Sequence, residues 1–445
     1  MRNRGNYLLF LLGLGSQLQI IASLSMTEAF ALAAAPVLFF SEQPYMRRNG
    51  IMPLFWLSLA VVLGCIIACW ANHTAPTFVL RGMAVACLLP CSIVVGHWAL
   101  RKNMNGFKWW FLGVLLSGVV CIFVFQKSVE LTMLAKGESG MKAANAIISG
   151  PIFWISRFSG FVQFPSIGWY LRCPLIYSVF APIGVAAFSL LTSVSGRSAA
   201  ICALGSFTLV LIGGKKRQTM RRVGRYFFLW VVLSIGGICI AKTGYQIAAT
   251  RGWLGEAARE KYEKQTGGNK SLRALLLGGR MESFCGLLAC ADKPIIGFGP
   301  WAIDRYGYVQ EFLEKYGKQE DIEKFLEVER GYARAGLIRE HLIPCHSIIV
   351  EFWVWCGIAG LVFWLYILYI MIRYLKNDCW AVPQWFMWLA AATPSMFWGI
   401  FFSPMGERFS PMLFCVAILL VRAVKERRQP LPRDMVSEIV KAEKR

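Results

Sequence analysis

The chain has 445 residues, of which 56% are hydrophobic and only 16% are charged, with a formal net charge of +22. Soluble domains have about 25% charged residues, so this composition excludes an ordinary soluble protein. Apolar runs of roughly 20 residues, the length that crosses a bilayer, recur along the sequence and must be helical within lipid. The composition therefore predicts an all-α, polytopic integral membrane protein.

The basic residues concentrate in short links between the apolar runs, chiefly at 47–48, 101–108, 215–225, 373–376 and 425–428. This is the distribution that the positive-inside rule describes for cytoplasmic links. We therefore assign the high positive charge to membrane topology and the lipid bilayer, and expect no nucleic-acid partner.

In chain order, the apolar runs predict spans at about 7–24, 26–40, 51–70, 77–98, 109–126, 174–195, 197–213, 226–241, 346–372, 383–402 and 409–424. The charge rule places both termini and the links 41–50, 99–108, 214–225 and 373–382 on the cytoplasmic side. Counting from both ends leaves one crossing missing between Gln126 and Pro174. The segment 147–173 contains prolines, glycines and Arg157, which favours a broken or re-entrant helix. We predict about twelve crossings.

The interval 242–345 is the one long polar stretch, and more than half of the acidic residues lie in it. Charged and apolar residues alternate at helix spacing in 245–265 and 308–337, so this interval should be mostly helical. Between them, IIGFGP is rich in turn residues. We divide the chain into N-terminal helices (1–241), a large periplasmic loop (242–345), C-terminal helices (346–424) and a basic cytoplasmic tail (425–445).

Four residues are candidates for chemistry. Arg197 lies between two apolar runs on the outer side, against the charge bias; it is either a functional cation or a span-end arginine reaching for water. Arg280 follows a Gly-Gly pair and opens an apparent short helix, and Arg157 has a similar setting. The alternative for both is an ordinary loop arginine that takes no part in chemistry. His346 begins an apolar span from the outer side. An imidazole suits proton transfer near neutral pH, although a helix-start histidine can also simply bond the backbone.

Some motifs are missing from the sequence. It contains no P-loop, GxSxG or HExxH motif, and no aspartate pair spaced to hold a metal-bound nucleotide sugar. These absences disfavour an ATP-driven pump and a metal-dependent nucleotide-sugar transferase.

Several segments between about residues 150 and 375, taken in order, resemble O-antigen ligases and the related O-antigen polymerases. LLTSVSGRSAAICAL resembles their small-residue and arginine span start. GGRMESFCGLLACADKPIIGFGPWAID resembles the arginine, short helix and Pro-x-x-Gly-x-Gly turn of their periplasmic loop. CHSIIVEFWVWCGIAG resembles the His-Asn that ends this loop and the Gly-x-x-Gly that follows, with Ser347 in place of the asparagine. RFSGFVQFPSIGW resembles an earlier Arg-x-x-Gly element more weakly.

This resemblance implies a bacterial inner-membrane enzyme that works without a metal or other cofactor. It would transfer a glycan from undecaprenyl pyrophosphate to a sugar hydroxyl of lipid A–core in the periplasm. Arg197 and Arg280 would bind the diphosphate, with Arg157 assisting, because arginine forks hold phosphate oxygens bidentately. His346 would orient or deprotonate the acceptor hydroxyl, and its roles as base and as phosphate ligand stay open.

Three alternatives to an O-antigen ligase remain. An O-antigen or exopolysaccharide polymerase would use the same donor with a growing glycan as acceptor. A protein-glycosylating ligase is also possible, and such enzymes often carry a further C-terminal domain. A transporter or flippase belongs to a different class and predicts charges near the middle of spans. Such charges are few in this sequence, namely Glu28, Arg81 and Arg172.

The first prediction concerns topology. An alkaline phosphatase fused at Lys318 should be active, because the loop is predicted to be periplasmic, and one fused at Lys216 should be inactive. Phosphatase activity in intact cells measures this. The reverse pattern would contradict the orientation and every site assignment that depends on it.

Overall fold

The structure is a computed structural model, and it describes residues 2–15, 19–21, 24–101, 109, 112–113, 116, 243–244, 246–248, 250–253, 259, 282–316, 342–373, 396–397 and 399–402. These residues are predominantly helical, which confirms the all-α prediction. The only sheet in this part of the chain is a short antiparallel pair, β1 (Gln19–Ile21) and β2 (Leu24–Ser25).

The first two helices differ from the predicted spans. Helix α1 (Arg2–Leu14) ends well before residue 24, and helix α2 (Met26–Asn49) continues through most of the predicted link 41–50. A capping box starts α2: the Ser25 hydroxyl accepts from the Glu28 amide, and the Glu28 carboxylate accepts from the Ser25 amide. Glu28 is therefore a helix cap and not a charge in the middle of a span. Gly50, with φ 74°, ends α2.

Helices α3 (Met52–Ala71) and α4 (Pro76–Leu100) match the predicted spans 51–70 and 77–98. Among the described helices, these two are long and apolar enough to cross a membrane, which supports the prediction of a membrane protein. On α3, Trp56 and Trp70 are exposed near opposite ends, with Leu63 exposed between them. Tryptophans at both ends of an exposed apolar face are typical of a helix in contact with lipid.

The way these helices pack gives their bundle two distinct ends. Helix α2 packs along α4, and α3 packs between α4 and a later helix, α8 (Ile358–Arg373). His97 of α4 contacts Glu42 and Asn49 of α2, so α2 and α4 run parallel. Their final residues form what we call the basic end, which carries Arg47, Arg48 and Arg101. The α3–α4 link, 72–75, lies at the opposite end.

The polar interval contributes helices α5 (Glu282–Asp292) and α6 (Tyr308–Tyr316). The predicted short helix after Arg280 and the predicted turn at IIGFGP are both present. Of the two longer predicted helices, α6 covers the start of 308–337, and much of the remainder lies outside the described residues.

The predicted span 346–372 is not one helix. It consists of α7 (Ile348–Cys356) and α8, separated at Gly357. Gly357 has φ 61° and ψ −144°, a conformation that essentially only glycine adopts. Hydropathy did not reveal the break because the apolar run continues across it.

A turn from the polar interval forms backbone hydrogen bonds with the helix ends at this break. We call residues 294–299 the docking turn. The amide of Phe298 donates to the Val354 carbonyl at 2.6 Å, and the amide of Gly299 donates to the Trp355 carbonyl at 3.1 Å. These carbonyls belong to the last turn of α7, where the helix no longer supplies donors. The docking turn therefore replaces the hydrogen bonds that the break at Gly357 removes.

The same contact continues on the other side of the break. The Ile358 amide, at the start of α8, donates to the Ile295 carbonyl at 3.1 Å. A Cβ at Gly357 would lie 1.9 Å from the Ile295 oxygen, and one at Gly297 would lie 2.6 Å from the Gly357 nitrogen. Both glycines are thus required for the two backbones to approach so closely.

We predict that Gly357→Ala removes this contact. Gly307 has a similar φ of 75° but no atom within 4 Å of the place that a Cβ would occupy, so Gly307→Ala is the matched control. The control should lose about 1–2 kcal/mol from its backbone conformation alone. Gly357→Ala should lose about 4 kcal/mol or more, since backbone atoms must move. Apparent melting temperatures in detergent measure both, and equal values would contradict the predicted clash.

Candidate functional site

Of the four candidate residues, the structure describes only His346. It is half-buried and lies two residues before α7, ahead of Ser347. Arg157, Arg197 and Arg280 lie outside the described residues. The predicted meeting of Arg197 and Arg280 therefore stays a prediction.

Ser347 anchors the start of α7. Its side chain is only 2% exposed, and its hydroxyl donates to the Ile400 carbonyl at 3.0 Å instead of capping the helix. Ile400 belongs to the predicted span 383–402. Ser347 thus joins the beginning of α7 to a second apolar segment, which fixes the backbone beside His346.

Helix α5 lies alongside α7 and runs in the same direction. A Cβ at Gly286 would lie 2.8 Å from Cys345 Sγ and 2.8 Å from Val350 Cγ1, so no side chain fits there. Further along α5, the Cys290 thiol donates to the Val350 carbonyl at 3.9 Å. His346 precedes α7 by two residues and so comes just before the end of this helix pair at which both helices begin.

Lys293 joins the polar interval to the α3–α4 link. Its ammonium donates to Asn72 Oδ1 at 2.6 Å, and Asn72 Nδ2 donates to the Gly297 carbonyl at 3.0 Å. The ammonium also lies 4.8 Å from the centre of the Phe298 ring and 5.4 Å from that of Tyr306, which are cation–π distances. The contact between Lys293 and Asn72 could not be predicted from the sequence, because no spacing rule links residues so far apart.

A second set of contacts holds α6 against the end of α5. The Asp304 carboxylate accepts from the amides of Tyr308 at 3.0 Å and Val309 at 2.9 Å, capping α6. The Tyr308 hydroxyl donates to Asp292 Oδ2 at 2.7 Å. Burial and this hydrogen bond raise the pKa of Tyr308 above its ordinary value, so the phenol keeps its proton. Tyr308 therefore joins α6 to the end of α5 through a hydrogen bond from a protonated phenol.

The cysteines of this region remain thiols. Cys285, Cys290 and Cys345 form no disulfide within the described part of the chain. Burial raises the pKa of Cys290 to about 12, so it keeps its proton near neutral pH. Within the described ranges, no three His, Cys, Asp or Glu side chains come together as metal ligands would.

Comparison of the sequence with protein-family models gives no match, and comparison with curated proteins gives none either.

We predict that Lys293 and Asn72 are energetically coupled. Lys293→Met and Asn72→Ala should each lower the apparent stability, and together they should show a coupling of about 1 kcal/mol, because they remove the same charged hydrogen bond. The exposed pair Lys315 and Glu311, 2.6 Å apart on α6, is the control and should show at most about 0.5 kcal/mol. Additive effects for Lys293 and Asn72 would contradict docking through this pair.

Proposed function

We propose that this chain is an O-antigen ligase-like glycosyltransferase. It moves a glycan from undecaprenyl pyrophosphate to a sugar hydroxyl of lipid A–core, in the periplasm and without a metal. The proposal rests on the order of the resembling segments in the sequence. One structural observation supports it most strongly: two of those segments, which are far apart in the chain, form a single hydrogen-bonded unit.

That unit consists of the docking turn and the break at Gly357. The turn is the Pro-x-x-Gly-x-Gly element, and the break is the first glycine of the Gly-x-x-Gly element. Their backbones exchange hydrogen bonds on both sides of Gly357. One glycine of each element, Gly297 and Gly357, is thereby explained by a shared close approach, which is a reason for the two elements to occur together.

The proposed topology has about twelve crossings, with 242–345 in the periplasm. Two contacts support placing the α3–α4 link and this loop on one side. Asn72 binds both Lys293 and Gly297, whereas Arg47, Arg48 and Arg101 lie at the opposite, basic end. The positive-inside rule assigns a basic end to the cytoplasm.

The proposed reaction is a displacement at the anomeric carbon of the glycan. The acceptor oxygen forms a bond to this carbon while the bond to the phosphate oxygen breaks, and undecaprenyl pyrophosphate leaves. His346 takes the proton of the acceptor hydroxyl. Arg197 and Arg280 bind the diphosphate and stabilise the charge that develops on it, with Arg157 assisting. A polymerase would follow the same steps with a growing glycan as acceptor.

We predict that His346→Ala lowers transfer by about 10²–10⁴-fold, as loss of a general base typically does, while the lipid-linked donor still binds. The assay uses the purified full chain in nanodiscs, with donor and lipid A–core added. His73 is the control: it lies in the α3–α4 link with φ 48°, a conformation that asparagine tolerates, so His73→Asn should transfer normally. Normal transfer by folded His346→Ala would remove it from the mechanism.

We predict at least about tenfold slower transfer for Arg197→Ala and for Arg280→Ala, since one charged hydrogen bond is worth roughly 1.5–3 kcal/mol. Arg280→Lys should remain impaired, because lysine keeps the charge but cannot form the bidentate fork. Arg305→Ala, at an exposed arginine of the same loop, should transfer normally. Full activity of Arg280→Lys would contradict bidentate phosphate binding, and full activity of either alanine variant would contradict the shared clamp.

A further inference from the structure

A group of buried polar side chains lies at the basic end, far from the proposed transfer site. Glu42 of α2 is 1% exposed, and His97 of α4 is fully buried. His97 Nδ1 lies 3.0 Å from Glu42 Oε2, and Asn49 Nδ2 lies 2.9 Å from His97 Nε2. The other carboxylate oxygen, Glu42 Oε1, lies 2.7 Å from Nη1 of Arg101. The proposed glycan transfer uses none of these groups.

Glu42 has a cationic partner other than the histidine. A buried carboxylate is costly unless it is paired, and Arg101 supplies the positive charge for Glu42. The Arg101 side chain is 22% exposed and its guanidinium carbon lies 4.0 Å from the centre of the Tyr45 ring, so the group reaches the surface there. Glu42 is therefore paired with a cation whether or not His97 is charged, so His97 can serve as the group that gains or loses a proton.

The contacts of His97 with Asn49 and Glu42 indicate where its proton lies. The Asn49 amide lies with Nδ2 toward His97, and an amide nitrogen can only donate, so Nε2 of His97 accepts in this arrangement. The proton then sits on Nδ1 and is donated to Glu42. A second proton on Nε2 would face a donor, and the Asn49 amide would have to turn to present its oxygen.

Among the described residues, the other charged side chains at the basic end belong to α2. Arg47 and Arg48 lie in its last turn and are exposed. Helix α3 contributes only cysteines as ionisable side chains, Cys65 and Cys69, and these lie toward its other end. The described ionisable side chain of α1, Tyr7, is 69% exposed. Asn49 is the last residue of α2, next to Gly50, so a turned amide would act where the chain passes from α2 to α3.

We propose that Glu42, His97 and Asn49 form a site that binds one proton at the basic end of the helix bundle. In its empty state His97 is neutral and carries its proton on Nδ1. When the site takes up a proton on Nε2, the Asn49 amide turns from donor to acceptor. Ionisable residues inside membrane helices are costly and typically serve proton transfer, which is the chemistry that this arrangement fits.

The test is magic-angle-spinning ¹⁵N NMR of the full chain in lipid, labelled at histidine and at the asparagine side chains. His97 and Asn49 signals are assigned by their loss in His97→Gln and Asn49→Asp. At about pH 7.5 His97 should be a neutral imidazole with its proton on Nδ1, and at about pH 5 it should be an imidazolium. The Asn49 amide signals should shift between the two conditions.

Asn49→Asp places a carboxylate beside Nε2 with almost no change in size. It should convert His97 to an imidazolium already at about pH 7.5. Ser41→Asp is the control, because Ser41 is exposed on the same helix, and it should leave the His97 signals unchanged. The wild-type spectra alone can overturn the proposal: a charged His97 at about pH 7.5, a neutral His97 protonated on Nε2, or a His97 still neutral at about pH 5.

Discussion

The fold depends on the hydrogen bonds between the docking turn and the broken helix at Gly357. A break in an apolar helix frees carbonyl groups, and within a membrane an unpaired carbonyl costs several kcal/mol. Here the amides of Phe298 and Gly299 bond the carbonyls of Val354 and Trp355. Each element therefore stabilises the observed form of the other, because the turn supplies donors that the break needs.

This contact also determines where the neighbouring elements lie. It fixes the end of α5 against α7, so the start of α5 comes beside the segment that carries His346. A Cβ at Gly64 of α3 would lie 2.9 Å from the Cys356 carbonyl, so α3 approaches the same break from another side. The apolar helices and the polar interval thus meet at one place, and Lys293 and Asn72 extend that contact to the α3–α4 link.

The sequence predicted those features that local composition controls. The bounds of α3 and α4, the turn at IIGFGP and the helix after Arg280 agree with the structure. Hydropathy also predicted single helices at 7–24 and 346–372, and there it was wrong. It measures how apolar a segment is and does not detect a glycine that lies against a partner distant in the sequence, as Gly357 lies against the Ile295 carbonyl.

The structural roles of charged residues were harder to predict from the sequence. Glu28 looked like a charge within a span, yet a Ser-x-x-Glu capping box, which the sequence does contain, explains it locally. No role was predicted for Glu42, because its partner His97 is 55 residues away in the sequence. In the structure, Glu42 is a buried carboxylate that contacts this histidine. The roles of Arg157, Arg197 and Arg280 still rest on the resemblance and on charge arguments.

The most direct test of the proposed function is deletion of the gene followed by electrophoresis of the lipopolysaccharide. A ligase predicts that all long chains disappear from lipid A–core while lipid-linked polymer accumulates, and that plasmid-borne wild-type protein restores them. Unchanged lipopolysaccharide would contradict the account. A single repeat unit remaining on lipid A–core would contradict the ligase assignment and indicate a polymerase that uses the same donor.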